Sequence, residues 1–216
     1  MQLHPASRTL RFGAPLAKAE GAVILVHGRG SSADDIAGLA PEFQAGNLAY
    51  IAPSASGGTW YPQRFFVPIE QNEPWLSSAL SLVDQLVEES LAAGIPHERI
   101  GLVGFSQGAC LILEYAVRNP RRYGFVAGLS GALIGPITTP RTPRDFGKTP
   151  VLIACAERDP HIPLEFVKAS AKTFTGFEAE VTTQIFPGGS HMVFPEEIVW
   201  IKNIVKEWIS PETPPR

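Results

Sequence analysis

Six short, nearly continuous apolar runs recur along the chain, each halted by glycine, proline or charge: "GAVILVHGRG" (21–30), "LAYIAPSA" (48–55), "RIGLVGFS" (99–106), "YGFVAGLSG" (123–131), "TPVLIACAERD" (149–159) and "AEVTTQIFPGG" (179–189). Runs of this length without polar alternation read as strands buried on both faces. Helical stretches lie between many of them. After Asn72-Glu73-Pro74, the residues Leu76, Leu80, Val83, Val87 and Leu91 fall at steps of three and four, which predicts a helix capped by Asn72 and ended by Gly94-Ile95-Pro96. Residues 107–118, 163–174 and 195–209 read as further helices. Strands alternating with helices predict the α/β class: a mostly parallel central sheet covered on both faces. "TLRF" (9–12) adds a candidate antiparallel edge strand.

Composition narrows the function classes. The 216 residues are enough for one domain with a full core, expected over residues 1–209, and "SPETPPR" (210–216) reads as a flexible tail. With 18 Lys and Arg against 21 Asp and Glu, the net charge is −3. Such a chain is not built to neutralise phosphates, so neither nucleic acid nor an anionic membrane is an expected partner. No apolar run approaches the roughly 20 residues of a membrane span. "MQLHPASRTLRFG" at the start lacks the apolar core of an export signal, which points to a cytoplasmic protein. Cys110 and Cys155, both in apolar runs, read as buried reduced thiols, and no metal-ligand spacing occurs.

Two stretches break the alternation. Residues 54–72, "SASGGTWYPQRFFVPIEQN", form a long aromatic-rich loop, and residues 135–149 form a proline-rich one. Loops of this length in a compact domain are often functional.

Gly104-Phe105-Ser106-Gln107-Gly108 matches G-x-S-x-G at the junction of a buried strand and a helix. There a serine sits on a strained turn with its Oγ above the sheet edge, and the flanking glycines avoid clashes with the neighbouring strand and helix. A serine needs a base within hydrogen-bond reach and an acid to orient that base. On such a scaffold the chain order is Ser, then Asp or Glu, then His. Only His161 and His191, and only Asp145 and Asp159, follow Ser106. Asp145 precedes a predicted strand and falls at the wrong end of the sheet. Asp159 follows one, at the carboxyl edge where ligands bind. His161 is too close to Asp159 to serve as a separate arm, whereas His191 follows the last strand on a glycine-containing loop. The triad read from sequence is Ser106, His191 and Asp159. Glu157 is the rival acid; Pro160 and Pro163 favour Asp159 by fixing its direction.

Acyl transfer also needs donors for an oxyanion. The backbone N–H of Gln107, after the nucleophile, is one. "HGRGSS" (27–32) follows an early strand and supplies the other through the backbone N–H of Arg29. His27 reads as a brace for this loop, and the Arg29 side chain as a solvated surface arginine. Trp60, Tyr61, Phe65 and Phe66 are candidates for the wall of the acyl pocket, with packing over the sheet edge as their structural alternative.

Through "VILVHGRGSSADD", "GTWYP", "VGFSQGA", "AERDPHIP" and "PGGSHMV", spread over residues 21–192, the chain resembles the phospholipase/carboxylesterase family of α/β-hydrolases, the group that includes acyl-protein thioesterases. The resemblance implies a single-domain α/β-hydrolase without a large cap, a serine hydrolase acting on small-molecule esters or thioesters, no cofactor, and often a homodimer. Arg29 stands where thioesterase-type members usually carry leucine, and Pro62 where they carry aspartate. These departures favour a carboxylesterase of small to medium acyl chains, with a lysophospholipase or acyl-(protein) thioesterase as the alternative. A non-catalytic binding module on a hydrolase fold is the alternative from another class.

Overall fold

The computed structural model describes residues 3–208, so the 210–216 tail lies outside the described residues. All six apolar runs become strands: β2 (Gly21–Val26), β3 (Leu48–Pro53), β4 (Ile100–Phe105), β5 (Phe125–Leu129), β6 (Pro150–Ala156) and β7 (Glu180–Phe186). With β1 (Thr9–Gly13) they form one sheet of order β1-β3-β2-β4-β5-β6-β7. Among the described residues only the β1–β3 pair is antiparallel. Five α-helices are described: α1 (Ala33–Ala37), α2 (Trp75–Ala92), α3 (Gln107–Arg118), α4 (Leu164–Gly176) and α5 (Pro195–Trp208).

The period of two along each strand sorts the core into two layers. Ala22, Ile24 and Val26 of β2 face the layer built from α2, α3 and α4, while Val23 and Leu25 face the one built from α1 and α5. Both faces of the central strands are therefore buried, and this is why they read as unbroken apolar runs. β7 differs: it is one of the two edge strands, with β1 at the other side, and its residues alternate mostly between partly buried and exposed. The expectation of a strand buried on both faces does not hold there, since none of its residues is fully buried.

Helix α2 begins at Trp75, but Asn72 does not cap it. The Asn72 side chain turns into the 54–72 loop, accepting from the Gln63 N–H (2.8 Å) and donating to the Arg64 carbonyl (3.2 Å). Glu73 takes the first turn instead, accepting from the backbone N–H and the hydroxyl of Ser77. Helix α1 follows a motif the sequence reading passed over. Ser32 and Asp35 form a reciprocal capping box at its start.

The chain runs from β2 outward to β3, then crosses to β4 on the other side of β2. That reversal opens a crevice at the carboxyl ends of β2 and β4, the place where open parallel sheets bind ligands.

Candidate active site

Five loops converge on this crevice, those after β2, β3, β4, β6 and β7. Ser106 sits between β4 and α3 with φ 55° and ψ −117°, a left-handed conformation costly for a residue with a Cβ. The turn is held by the Ser106 N–H donating to the Leu129 carbonyl (2.9 Å) and by the Cys110 N–H donating to the Ser106 carbonyl (3.0 Å). It also requires its flanking glycines. A Cβ on Gly104 would stand 2.4 Å from the Gly108 oxygen, and one on Gly108 would stand 2.1 Å from the Val26 oxygen. The strand, the elbow and the helix pack too closely for any side chain at those two positions.

His191 reaches Ser106 across the sheet edge. Its Nε2 lies 2.8 Å from Ser106 Oγ, and its Nδ1 lies 2.7 Å from Asp159 Oδ2. A carboxylate only accepts, so Nδ1 carries the proton and Nε2 is free to accept from the serine hydroxyl. Asp159 is fixed by its other oxygen, whose Oδ1 accepts the N–H groups of His161 (2.8 Å) and Ile162 (3.1 Å). The His191 loop has its own anchors. Ser130 Oγ donates to the Met192 carbonyl (3.3 Å), the Phe194 N–H donates to Glu197 (2.6 Å), and Phe194 stacks on Phe186 with ring centroids 3.9 Å apart. Glu157 is exposed and makes no contact with the imidazole among the described residues, while Asp145 accepts from the Gly147 N–H ahead of β6.

The backbone N–H groups of Arg29 and Gln107 make no hydrogen bond among the described residues. Gly28 brings the first of them close, since a Cβ on Gly28 would lie 3.4 Å from Ser106 Cβ. The second belongs to the first residue of α3, where a helix leaves its N–H groups unpaired and its dipole presents positive charge. Above this assembly is a cavity of about 580 Å³ bordered by Tyr61, Phe65, Phe105, Ser106, His161 and His191 among others. A separate cavity of about 320 Å³ lies between the 135–143 segment and α4, and holds none of the three triad candidates.

Comparison with known proteins gives the site its context. The phospholipase/carboxylesterase family model matches residues 11–209. The chain belongs to that family. A crystal structure of a phospholipase/carboxylesterase from Dyadobacter fermentans is 38% identical, covers 95% of this chain and 99% of its own, and superposes with a TM-score of 0.88. A probable carboxylesterase of Oryza sativa subsp. japonica is 30% identical over 219 residues, covering 90% of this chain and 82% of its own length. Acyl-protein thioesterase 1 of Gibberella zeae is 32% identical over 130 residues, 59% of this chain and 55% of that relative, so the match spans about half of the fungal protein. The chain is thus an α/β-hydrolase with the esterase or thioesterase chemistry of its family.

Within this family frame the remaining sequence candidates separate. Tyr61 and Phe65 border the cavity, whereas Trp60 and Phe66 do not. Trp60 is fully buried; its indole N–H donates to the His27 carbonyl (2.8 Å), and its ring lies 4.9 Å from that of His27. It braces the Arg29 loop from behind. Phe66 packs on Phe65 and Phe166. His27 is a brace, as its sequence context suggests. Its Nε2 accepts from the Ala55 N–H (3.0 Å), so Nδ1 bears the proton and donates to the Gly28 carbonyl (2.7 Å); burial lowers its pKa. Cys110 and Cys155 are free and buried, each thiol pushed up to about 12 by burial.

Arg29 is exposed, as expected of a surface arginine, but its side chain is not free. Its guanidinium donates to the carbonyls of Tyr61 (3.0 Å), Pro62 (3.0 Å) and Gln63 (2.7 Å). The Gln107 side chain grips the same segment, accepting from the Trp60 N–H (3.0 Å) and donating to the Tyr61 carbonyl (2.8 Å). Both residues that offer a free N–H to the cavity therefore use their side chains to hold one strap, residues 59–63. His4, which no motif singled out, ties down the far side: it accepts from the Ser56 N–H (3.1 Å) and donates to the Trp60 carbonyl (2.9 Å).

Proposed function

We propose that the protein is a serine carboxylesterase that cleaves esters of small to medium acyl chain through an acyl-enzyme. The observation that carries this reading is the hydrogen-bonded chain from Ser106 through His191 to Asp159 at the carboxyl edge of the sheet. His191 Nε2 takes the hydroxyl proton as Ser106 Oγ attacks the carbonyl carbon. The Arg29 and Gln107 N–H groups receive the negative oxygen of the tetrahedral intermediate. Collapse expels the alcohol, which leaves with the proton from His191. Water then repeats the attack with His191 again as base, and the acid is released. Asp159 holds the imidazole in the tautomer that accepts from serine and stabilises its cation. These steps draw only on this chain's groups and water.

The name of the fungal relative supports a second reading, an acyl-protein thioesterase, because the same groups would attack a thioester. The single catalytic domain, the cytoplasmic setting and the homodimer implied by the family complete the proposal.

The test is hydrolysis of p-nitrophenyl acetate, butyrate and octanoate and of matched thioesters, by the wild type and by Ser106→Ala, together with labelling by a fluorophosphonate. Turnover and labelling by the wild type, with a loss of about 10³-fold or more in the variant, support the reading. An unlabelled, inactive wild type would point to a binding module. The ratio of ester to thioester rates decides between the two enzyme readings.

A further inference from the structure

Two arginines, Arg29 and Arg64, line the cavity above Ser106, and among the described residues no Asp or Glu is present in its wall. The chain as a whole has the opposite bias, 21 acidic residues against 18 Lys and Arg.

Neither arginine has a counter-ion. Arg29 is held by three backbone carbonyls, which position its guanidinium without neutralising it. Those bonds use three of its five N–H donors and leave two free. The Arg64 guanidinium makes no hydrogen bond or ion pair among the described residues; it lies 5.6 Å from the Phe66 ring centroid. Elsewhere some arginines do meet carboxylates, Arg11 with Glu89 and Arg118 and Arg141 with Glu114, while others such as Arg99 donate to backbone carbonyls. The N-terminus of α3 adds further positive potential to the same space.

Arg64, with its guanidinium unpaired, can grip a carboxylate through two parallel hydrogen bonds, while Arg29, whose Nη2 donors are taken, adds positive charge and single hydrogen bonds. We propose, resting on the ester-hydrolase reading above, that the preferred substrates are anionic esters carrying a carboxylate on the acyl or the alcohol portion, recognised by Arg64 and Arg29 at the cavity rim. A neutral ester of the same size leaves both guanidinium groups without a counter-charge.

Two matched pairs test this. With the charge on the acyl side, mono-4-nitrophenyl adipate is compared with its methyl ester. With the charge on the leaving group, 3-carboxyphenyl butyrate is compared with 3-carbamoylphenyl butyrate. The readout is the ratio of kcat/KM within each pair, so any general loss of activity in a variant cancels. For the wild type at low salt, the acid member of at least one pair is expected to be favoured by about tenfold, the size of one well-placed charge interaction. That ratio should fall at least about threefold in Arg64→Gln, and should shrink at high ionic strength. A neutral member turned over as well as the acid in both pairs overturns the proposal, and so does a preference that survives Arg64→Gln unchanged. If the neutral esters are hydrolysed without any preference, this inference alone fails. If no member of either pair is hydrolysed, the ester-hydrolase reading fails and takes it along.

Discussion

Asp159 and Glu157 stand two residues apart at the end of one strand, yet only Asp159 touches the imidazole. The difference is a turn. Asp159 Oδ1 accepts two backbone N–H groups from the residues just after it, which leaves Oδ2 aimed at His191. Short acidic side chains that bond their own following backbone make such turns, and the longer Glu157 side chain has no equivalent hold. The replacement Asp159→Asn should therefore preserve the shape of the site while favouring the wrong imidazole tautomer, lowering kcat by about 10³–10⁴-fold. Glu157→Gln should leave kcat within about twofold. Steady-state kinetics on p-nitrophenyl butyrate, with melting curves to show that both variants fold, would check the pairing; a comparable loss in Glu157→Gln would reverse the assignment. The choice of acid was legible in the sequence because Asp-Pro-His-Ile-Pro announces a rigid turn. The two amide bonds that aim the carboxylate were not, since nothing in residue identity says which oxygen will face which neighbour.

Among the elements, the 59–63 strap was the least legible. Its aromatics suggest a pocket wall, and Tyr61, like Phe65 just beyond the strap, does line the cavity. Trp60 instead faces inward, because its indole N–H needs an acceptor once buried and the His27 carbonyl provides one. Contacts between Gln107 and residues 46 and 47 positions earlier leave no periodic trace in a sequence. They nonetheless join the elbow to the strap. Truncation in Gln107→Ala keeps the backbone N–H but strands the Trp60 N–H, a loss of about 1–3 kcal/mol for a buried group left unpaired, while the Tyr61 carbonyl keeps Arg29 and Thr59 as donors. Two effects should follow, a lower melting temperature and a kcat reduced about 10–100-fold with KM changed by less than about threefold. The affinity of a trifluoromethyl ketone, which mimics the tetrahedral intermediate, should fall in step with kcat/KM. A purely structural role for Gln107 would lower the melting temperature and leave that affinity alone.

At the level of the whole molecule, buried apolar runs revealed which segments enter the sheet, but not their order. A continuous run reports burial, and burial is the same beside any neighbour, so the edge position of β7 was hidden, and the polar Thr182, Thr183 and Gln184 within it were the sign of its partial exposure. Buried titratable groups were hidden for a related reason: only the fold decides which of them lose water. Three matter for stability. His4 and His27 are fully buried, and burial lowers both pKa values below 6.5; Glu197 is fully buried, and burial raises its carboxyl from 4.5 to about 8. The signs oppose. Below pH 6.5 the unfolded chain binds protons that the folded histidines refuse, so stability falls as the pH drops. Between pH 4.5 and 8 the folded protein keeps a proton on Glu197 that the unfolded chain has lost, so stability falls as the pH rises through that window. Above pH 6.5 Glu197 acts without the histidines, so stability should decline by roughly 1–2 kcal/mol from pH 6.5 toward pH 8. Urea unfolding at pH 5.5, 6.5 and 8 would trace the curve. In Glu197→Gln the alkaline decline should vanish while the acid limb persists, because the amide still accepts from the Phe194 N–H and has no proton to lose. An alkaline limb equally steep in that variant would place its origin in some other group.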